Sequence, residues 1–254
     1  MSMSQVSQII KGMDQLNSLP DAMRVAIFGT NGGIGEALME RLSAHPKVKT
    51  VESFSRRHPD PTRRFDFRDE ASLAHIGEAL AQQDPLHLVI VATGMLHDQD
   101  QQIHPEKSLK QLNHEGMSTA FLVNTIGPAL IGKYTLPLLA KNSKTVFAAI
   151  SARVGSISDN QLGGWHSYRA SKAALNMMIK GFALEMKRNN PNSVIIGLHP
   201  GTTDTSLSAP FQSSLRHTLF PPNVAAGHLL GVIDGVEPYH SGSVIAWDGQ
   251  IIPA

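Results

Sequence analysis

Cysteine is absent from the 254 residues. That excludes disulfides, thiolate nucleophiles and cysteine-ligated metal sites, and it suits a reducing cytoplasm. An excess of charge is also missing: Lys+Arg is 22 against Asp+Glu 21, a net charge of +1. The basic residues are dispersed, so neither a nucleic-acid partner nor an acidic membrane surface is expected. No window approaches the ~20 apolar residues of a membrane-spanning helix. The opening MSMSQVSQIIKGMDQLNSLP lacks the basic start and long apolar run of a signal peptide. The expectation is a soluble, cytoplasmic chain with no membrane partner. There is no internal repeat, no H-E-x-x-H and no G-x-S-x-G, so a zincin and a hydrolase nucleophile elbow are unsupported. His97, Asp98, Asp100 and His104 lie close together, but they read as a solvated loop, and no metal site is expected.

What is present is an alternation. RVAIFG (24–29), VKTVESF (48–54), LHLVIVATG (86–94), TVFAAIS (145–151), SVIIGLHPG (193–201) and GSVIAWDG (242–249) read as strands. Between them lie helical stretches at 36–45, 69–83, 118–140, 164–188 and 222–233. A third short strand is expected just before Asp66. Val- and Ile-rich strands alternating with helices imply a parallel sheet covered on both faces. The fold class expected is a single doubly wound Rossmann-type α/β domain with a mainly parallel sheet. It would span 23–254, preceded by an N-terminal arm at 1–22.

Between the first strand and the first helix stands Gly29-Thr-Asn-Gly-Gly33-Ile-Gly35. Small residues allow a tight turn and close approach to a pyrophosphate, and the helix N-terminus adds free N–H groups. Placed here, the loop points to nucleotide binding rather than to a structural turn. Its G-x-x-x-G-x-G spacing resembles the short-chain dehydrogenase/reductase family, although Phe28 replaces the threonine usual before the first glycine. The resemblance implies that Gly29, Asn31, Gly33, Ile34 and Gly35 contact the cofactor. After the second strand, Ser55 stands where a carboxylate would hold a free ribose 2′-hydroxyl. Arg56 and Arg57 offer charge-assisted hydrogen bonds to a 2′-phosphate instead. NADP(H) is therefore expected in preference to NAD(H), although Gly32 leaves empty a loop position often basic in NADP-preferring relatives. By the same resemblance Asp66 and Phe67 flank the adenine, Asp66 otherwise being a simple cap. Ala92, Thr93 and Gly94 match the family's Asn-Asn-Ala-Gly in part. The resemblance also implies that Pro200, Gly201, Thr203 and Thr205 wrap the nicotinamide end, the alternative being a plain proline-glycine turn.

Tyr168 and Lys172 are four residues apart, hence neighbours on one helical face. A lysine cation favours a phenolate, so the pKa of Tyr168 is expected to fall toward working pH. Tyr168 would then serve as general acid for a carbonyl oxygen, or as base for an alcohol. In the family the lysine also holds the nicotinamide ribose. The resemblance implies that an asparagine interrupting the long apolar helix, here Asn124, orders a relay water; read without the family, it makes a capping or core hydrogen bond. The serine position is less regular. The family pattern, hydrophobe-x-Ser-x-x-Gly, set on Gly155, puts Ala152 where the catalytic serine belongs. Ser151 is one residue early, and on a regular strand it would face the other side. Ser151 is the preferred hydrogen-bond donor to the substrate oxygen; Ser156, or no serine, are the alternatives.

The loop from Ser151 to Tyr168, with Gly163-Gly164-Trp165 before the tyrosine, resembles a branch of sniffer-like carbonyl reductases and C-factor-like proteins. So does the ending SGSVIAWDGQIIP. The resemblance implies an NADP-dependent oxidoreductase acting on a small carbonyl or alcohol substrate, with a lid around 204–221. It also implies a homodimer or homotetramer paired through the two long helices. The alternative is an NADP-binding signalling or regulatory module with weak or no catalysis, which Ala152 motivates.

Overall fold

A seven-stranded sheet forms the centre of the computed structural model, which describes residues 15–214 and 218–254. Strands β1 (Met23–Phe28), β2 (Val48–Phe54), β3 (Leu88–Val91), β4 (Thr145–Ile150) and β5 (Ser193–His199) are parallel. A two-residue pair, β6 (Thr202–Thr203) and β7 (Leu219–Phe220), stands apart from the sheet. Strand β8 (Val244–Ala246) adds in parallel to β5, and β9 (Ile251–Ile252) closes the edge antiparallel. The order is β2-β1-β3-β4-β5-β8-β9. This is the mainly parallel α/β sheet expected from the alternation.

The helices are α1 (Gly33–Ser43), α2 (Glu70–Ala81), α3 (His114–Phe121), α4 (Gly127–Thr135), α5 (His166–Asn189) and α6 (Pro222–Gly235). Strand side chains alternate between the two faces. Val25, Ile27, Leu88 and Ile90 pack with Leu38 and Leu42 of α1 and Leu229 and Ile233 of α6. Ala26, Phe28, Val89 and Val91 pack with Leu73 and Ile76 of α2, Ile131 of α4, and Leu175 and Ile179 of α5. Both faces are thus covered, which is why a central strand such as β3 is apolar and buried throughout. Leu16 and Leu19 join the first of these clusters, and the Lys47 ammonium takes the carbonyls of Leu16, Asn17 and Leu19. The first fourteen residues of the expected arm, and residues 215–217 of the expected lid, lie outside the described residues.

Three local expectations need correction. No strand lies between β2 and Asp66: the chain makes a short 3-10 turn at Pro61–Arg63, and Asp66 forms only an isolated bridge to Asp69. Phe65 still buries against Phe28, at 5.9 Å between ring centroids, so an apolar anchor at that position did not require a hydrogen-bonded strand. The long helix at 118–140 is divided: α3 passes through a π-turn (Leu122–Ile126) into α4 and ends in a 3-10 turn at Leu136–Leu138. The expected last strand is only three residues long, because Gly249, at φ +84°, turns the chain back as β9.

The chain runs outward from β1 to β2, then returns across the sheet to β3. The switch point is therefore between the carboxyl ends of β1 and β3, where an open α/β sheet offers a crevice.

Candidate active site

The glycine loop sits at that switch point. Gly29, at φ +99°, has no room for a side chain: a Cβ there would lie 2.9 Å from the Ala92 carbonyl carbon, at the end of β3. A Cβ on Gly35 would come within 2.2 Å of the Gly29 carbonyl oxygen, so α1 starts directly under the turn. Gly32 caps α1 without a side-chain hydrogen bond, which leaves the first-turn N–H groups open to an anion. Asn31 is exposed and Ile34 half-buried on this loop. A Cβ on Gly33 would meet Thr205 at 3.0 Å, which places the start of the lid against the loop.

Around the crevice, three buried hydroxyls have no hydrogen-bond partner among the described residues: Ser55 Oγ after β2, Thr93 Oγ1 after β3 and Thr203 Oγ1 on β6. A buried polar group without a partner is costly, and all three follow the carboxyl ends of sheet strands. A dinucleotide, rich in hydroxyls and amide groups, fits this donor set. Arg56 and Arg57 are exposed beside Ser55. Asp98 lies near Arg56: burial pushes its carboxyl up, but hydrogen bonds from Gln101 and Asp100 and the charge of Arg56 leave it below the usual value. Asp66 caps a turn, accepting from Arg68 N at 2.9 Å. Phe67 lies on Gly127, where a Cβ would come within 2.5 Å of its ring. Pro200 is buried and Gly201, at φ +74°, carries the backbone past Phe220 and Trp247.

Lys172 and Asn124 meet at Gly94. A Cβ on Gly94 would lie 3.7 Å from Lys172 Nζ, 3.8 Å from Asn124 Oδ1 and 3.9 Å from Leu207 of the lid. Asn124 is fully buried inside the π-turn; its Oδ1 accepts from Met95 N at 2.8 Å, and its Nδ2 donates to Met95 O and to Ser171 Oγ. Ser171 Oγ in turn donates to Tyr168 O at 2.8 Å. The π-turn thus gives a buried amide its partners and joins α3–α4 to the helix bearing the tyrosine. Such turns are common at functional sites.

Lys172 is 1% exposed, and its Nζ donates to Ile150 O at 2.8 Å and stands 5.9 Å from the Tyr168 ring centroid. Burial pushes this ammonium down to about 7. It pushes the Tyr168 phenol up to about 12, although part of that residue stays accessible from the cleft. The expected fall in the tyrosine pKa is therefore reversed: desolvation opposes the charged form of both groups.

Gly155 packs on this helix, where a Cβ would lie 2.8 Å from Lys172 Cβ. Ser151, 2% exposed, donates its hydroxyl to Asn176 Oδ1 on α5 at 2.6 Å. Ser156 accepts from Asp159 N and donates to Ala254 O. Ala152, half-buried, offers no hydroxyl. Aromatic rings stand over Tyr168: Trp165 at 6.3 Å, with Phe211 of the lid 5.2 Å from Trp165 and 5.8 Å from His97. His97 Nε2 pairs with Ser206 O at 3.1 Å.

One buried acid at the site carried no signal in the sequence. Glu106, 3% exposed, reaches the N-terminus of α5 from a loop 61 residues earlier. Neither its own neighbours nor its spacing announces the partner.

Residues 23–215 match the family model described as short chain dehydrogenase. The C-signal protein of Myxococcus xanthus is 32% identical over 146 residues, covering 58% of this chain and 83% of that one. In fold, the carbonyl reductase Sniffer of D. melanogaster is similar at a TM-score of 0.76, with 19% identity over 92% of this chain and all of the other. An NADPH-bound carbonyl reductase from chicken fatty liver is also similar, at a TM-score of 0.76 and 22% identity over 95% and 98%. The chain belongs to the short-chain dehydrogenase family of oxidoreductases.

Proposed function

We propose that this chain is an NADP-dependent carbonyl reductase whose proton donor is Tyr168. The observation that carries this reading is the convergence of Tyr168, Lys172 and Asn124 beside a crevice that contains unpartnered hydroxyls and a glycine turn with no room for a Cβ. The cofactor supplies the hydride. The glycine loop Gly29–Gly35, including Asn31 and Ile34, would hold the pyrophosphate against the α1 N-terminus. Ser55 and Arg56 would face the adenosine ribose, and the exposed guanidinium favours a 2′-phosphate there. Asp66 and Phe67 would flank the adenine. Ala92, Thr93 and Gly94 would line the middle of the crevice, and Pro200, Gly201, Thr203 and Thr205 the nicotinamide end.

Tyr168 would give its proton to the oxygen of the reduced carbonyl. Burial raises its pKa to about 12, so the phenol carries its proton at working pH. Lys172 would hold the ribose and, once charged, ease loss of the phenol proton; Asn124 would order a relay water. Ser151 could donate to the substrate oxygen by giving up Asn176. The Trp165 and Phe211 rings give the substrate a partly apolar seat. Exposed Ile126, Met177 and Leu184 on the long helices support pairing into a homodimer or homotetramer, which light scattering would test.

The decisive assay follows NADPH oxidation against a panel of aldehydes, ketones and quinones. Turnover by the wild type, and a loss of about 10²–10⁴ in kcat for Tyr168→Phe with NADPH binding kept, is expected. Equal rates for the two proteins would overturn the assignment. A second reading, an NADP-binding signalling module, is favoured by Ala152, by the engagement of Ser151 with Asn176, and by the likeness to C-signal. NADPH binding without turnover across the whole panel would select it.

A further inference from the structure

The helix that carries Tyr168 and Lys172 begins without a cap of its own. Its N-cap is Trp165, which makes no side-chain capping bond and sits in the left-handed region at φ +48°. A bulky residue there is strained, and the strain persists only if the surroundings hold it. Gly163 and Gly164 before it also have positive φ, so the chain enters the helix through three consecutive left-handed residues.

What holds this entry is Glu106. Its two carboxylate oxygens are shared by one residue: Oε2 accepts the Ser167 N–H at 3.1 Å, and Oε1 accepts the Ser167 hydroxyl. Its backbone oxygen accepts the N–H of Trp165. A carboxylate at a helix N-terminus is also favoured by the helix dipole, which helps to offset the cost of burying it at 3% exposure. Tyr168 is the next residue after Ser167, and the Trp165 ring packs edge-on to it.

We propose that Glu106 is a positioning residue: a cap supplied from a distant loop that fixes the first turn of α5, and with it the pose of Tyr168 and of Trp165 over the cleft. It touches neither reacting atoms nor cofactor. The consequence for catalysis rests on the reading of Tyr168 as proton donor; the mechanical claim does not.

The test uses the full chain, with Glu106→Ala, Glu106→Gln and Ser167→Ala. Glutamine keeps an oxygen for the Ser167 N–H and offers its amide to the serine hydroxyl, so it should restore what alanine loses. Without cofactor or substrate, amide hydrogen exchange over 163–170 should speed up by about tenfold or more in Glu106→Ala, as expected for a locally opened turn. It should stay near wild type in Glu106→Gln, and the C-terminal half of α5 should be unchanged in both. With NADPH and a carbonyl that the wild type reduces, kcat should fall about 10²-fold in Glu106→Ala, the scale of a small misplacement of a reacting group. NADPH affinity should hold, and Glu106→Gln should recover most of the rate. Unchanged exchange at the start of α5 in Glu106→Ala overturns the proposal. So does a loss of NADPH affinity in step with kcat, which would mark general damage. If Glu106→Ala does not fold, Ser167→Ala, which removes only the hydroxyl bond, decides: faster exchange confined to the first turn supports the cap, and none refutes it. A wild type that reduces no carbonyl would defeat the proposed activity while leaving the exchange result to judge the cap alone.

Discussion

Lys172→Met in the cofactor-free protein should flatten the dependence of stability on pH. The folded chain holds Lys172 at about 7 by burial, whereas an unfolded lysine titrates near 10.4. Between those values the unfolded state binds more protons, so unfolding free energy rises with pH, by up to about 1.4 kcal/mol per pH unit. At pH 7 about half of the folded molecules carry the proton, and by pH 9 almost none do. Integrated over that window, Lys172 should add roughly 2 kcal/mol of stability. Methionine fills the stem's volume but cannot titrate. Its loss of the bond to Ile150 O shifts stability by a pH-independent amount, so the slope alone is read. Lys144, also lowered by burial, acts in the same direction in both proteins and cancels. The raised phenol of Tyr168 acts above pH 10, where the unfolded state ionises first and stability falls, outside the window. Urea unfolding at pH 7, 8 and 9 measures the slope for each protein. Parallel slopes for wild type and Lys172→Met would show that the lysine is not buried as an amine, and would refute the reasoning.

Arg56→Ala should weaken NADPH binding by about 1.5–3 kcal/mol, the worth of hydrogen bonds to a charged group, while leaving NADH binding unchanged; fluorescence titration of each cofactor checks it. Ser151→Ala separates two roles for that hydroxyl. Loss of a donor to the substrate oxygen would cost about 10²-fold in kcat, whereas loss of the tie to Asn176 would cost about 1 kcal/mol of stability. With Ser151 as the proposed donor the first outcome is expected; unchanged kcat with the loss of stability alone would assign the hydroxyl to Asn176 instead.

The sheet and the nucleotide crevice were legible because their signals are local. Runs such as LVIV carry both faces' burial in consecutive residues, and the glycine turn needs no distant partner to be recognised. Asp66 shows where this fails. The anchor Phe65 was readable as apolar, but whether the flanking backbone pairs with β2 depends on a neighbour that sequence does not name. The π-turn at Asn124 was illegible for a related reason. Its extra residue lets the amide reach Met95 and Ser171, contacts 29 and 47 residues distant, while the apolar periodicity on either side continues as if the helix were regular. Glu106 is the extreme case, an acid in a polar loop whose partner lies 61 residues on.

The tyrosine and lysine make a different point, because their spacing was read correctly and the weight of burial against their coupling was not. Adjacency on a helix face says that one charge will stabilise the opposite one; it does not say that either is present. In the folded chain burial lowers Lys172 to about 7 and raises Tyr168 to about 12, so desolvation works against both charged forms of the pair. A lysine that is not charged cannot depress a phenol. An anionic ligand in the adjoining crevice would favour the ammonium. A dinucleotide carries such charge in its phosphates. Spacing alone thus presents the pair as activated, whereas burial of the lysine at 1% exposure opposes the charge on which that activation depends.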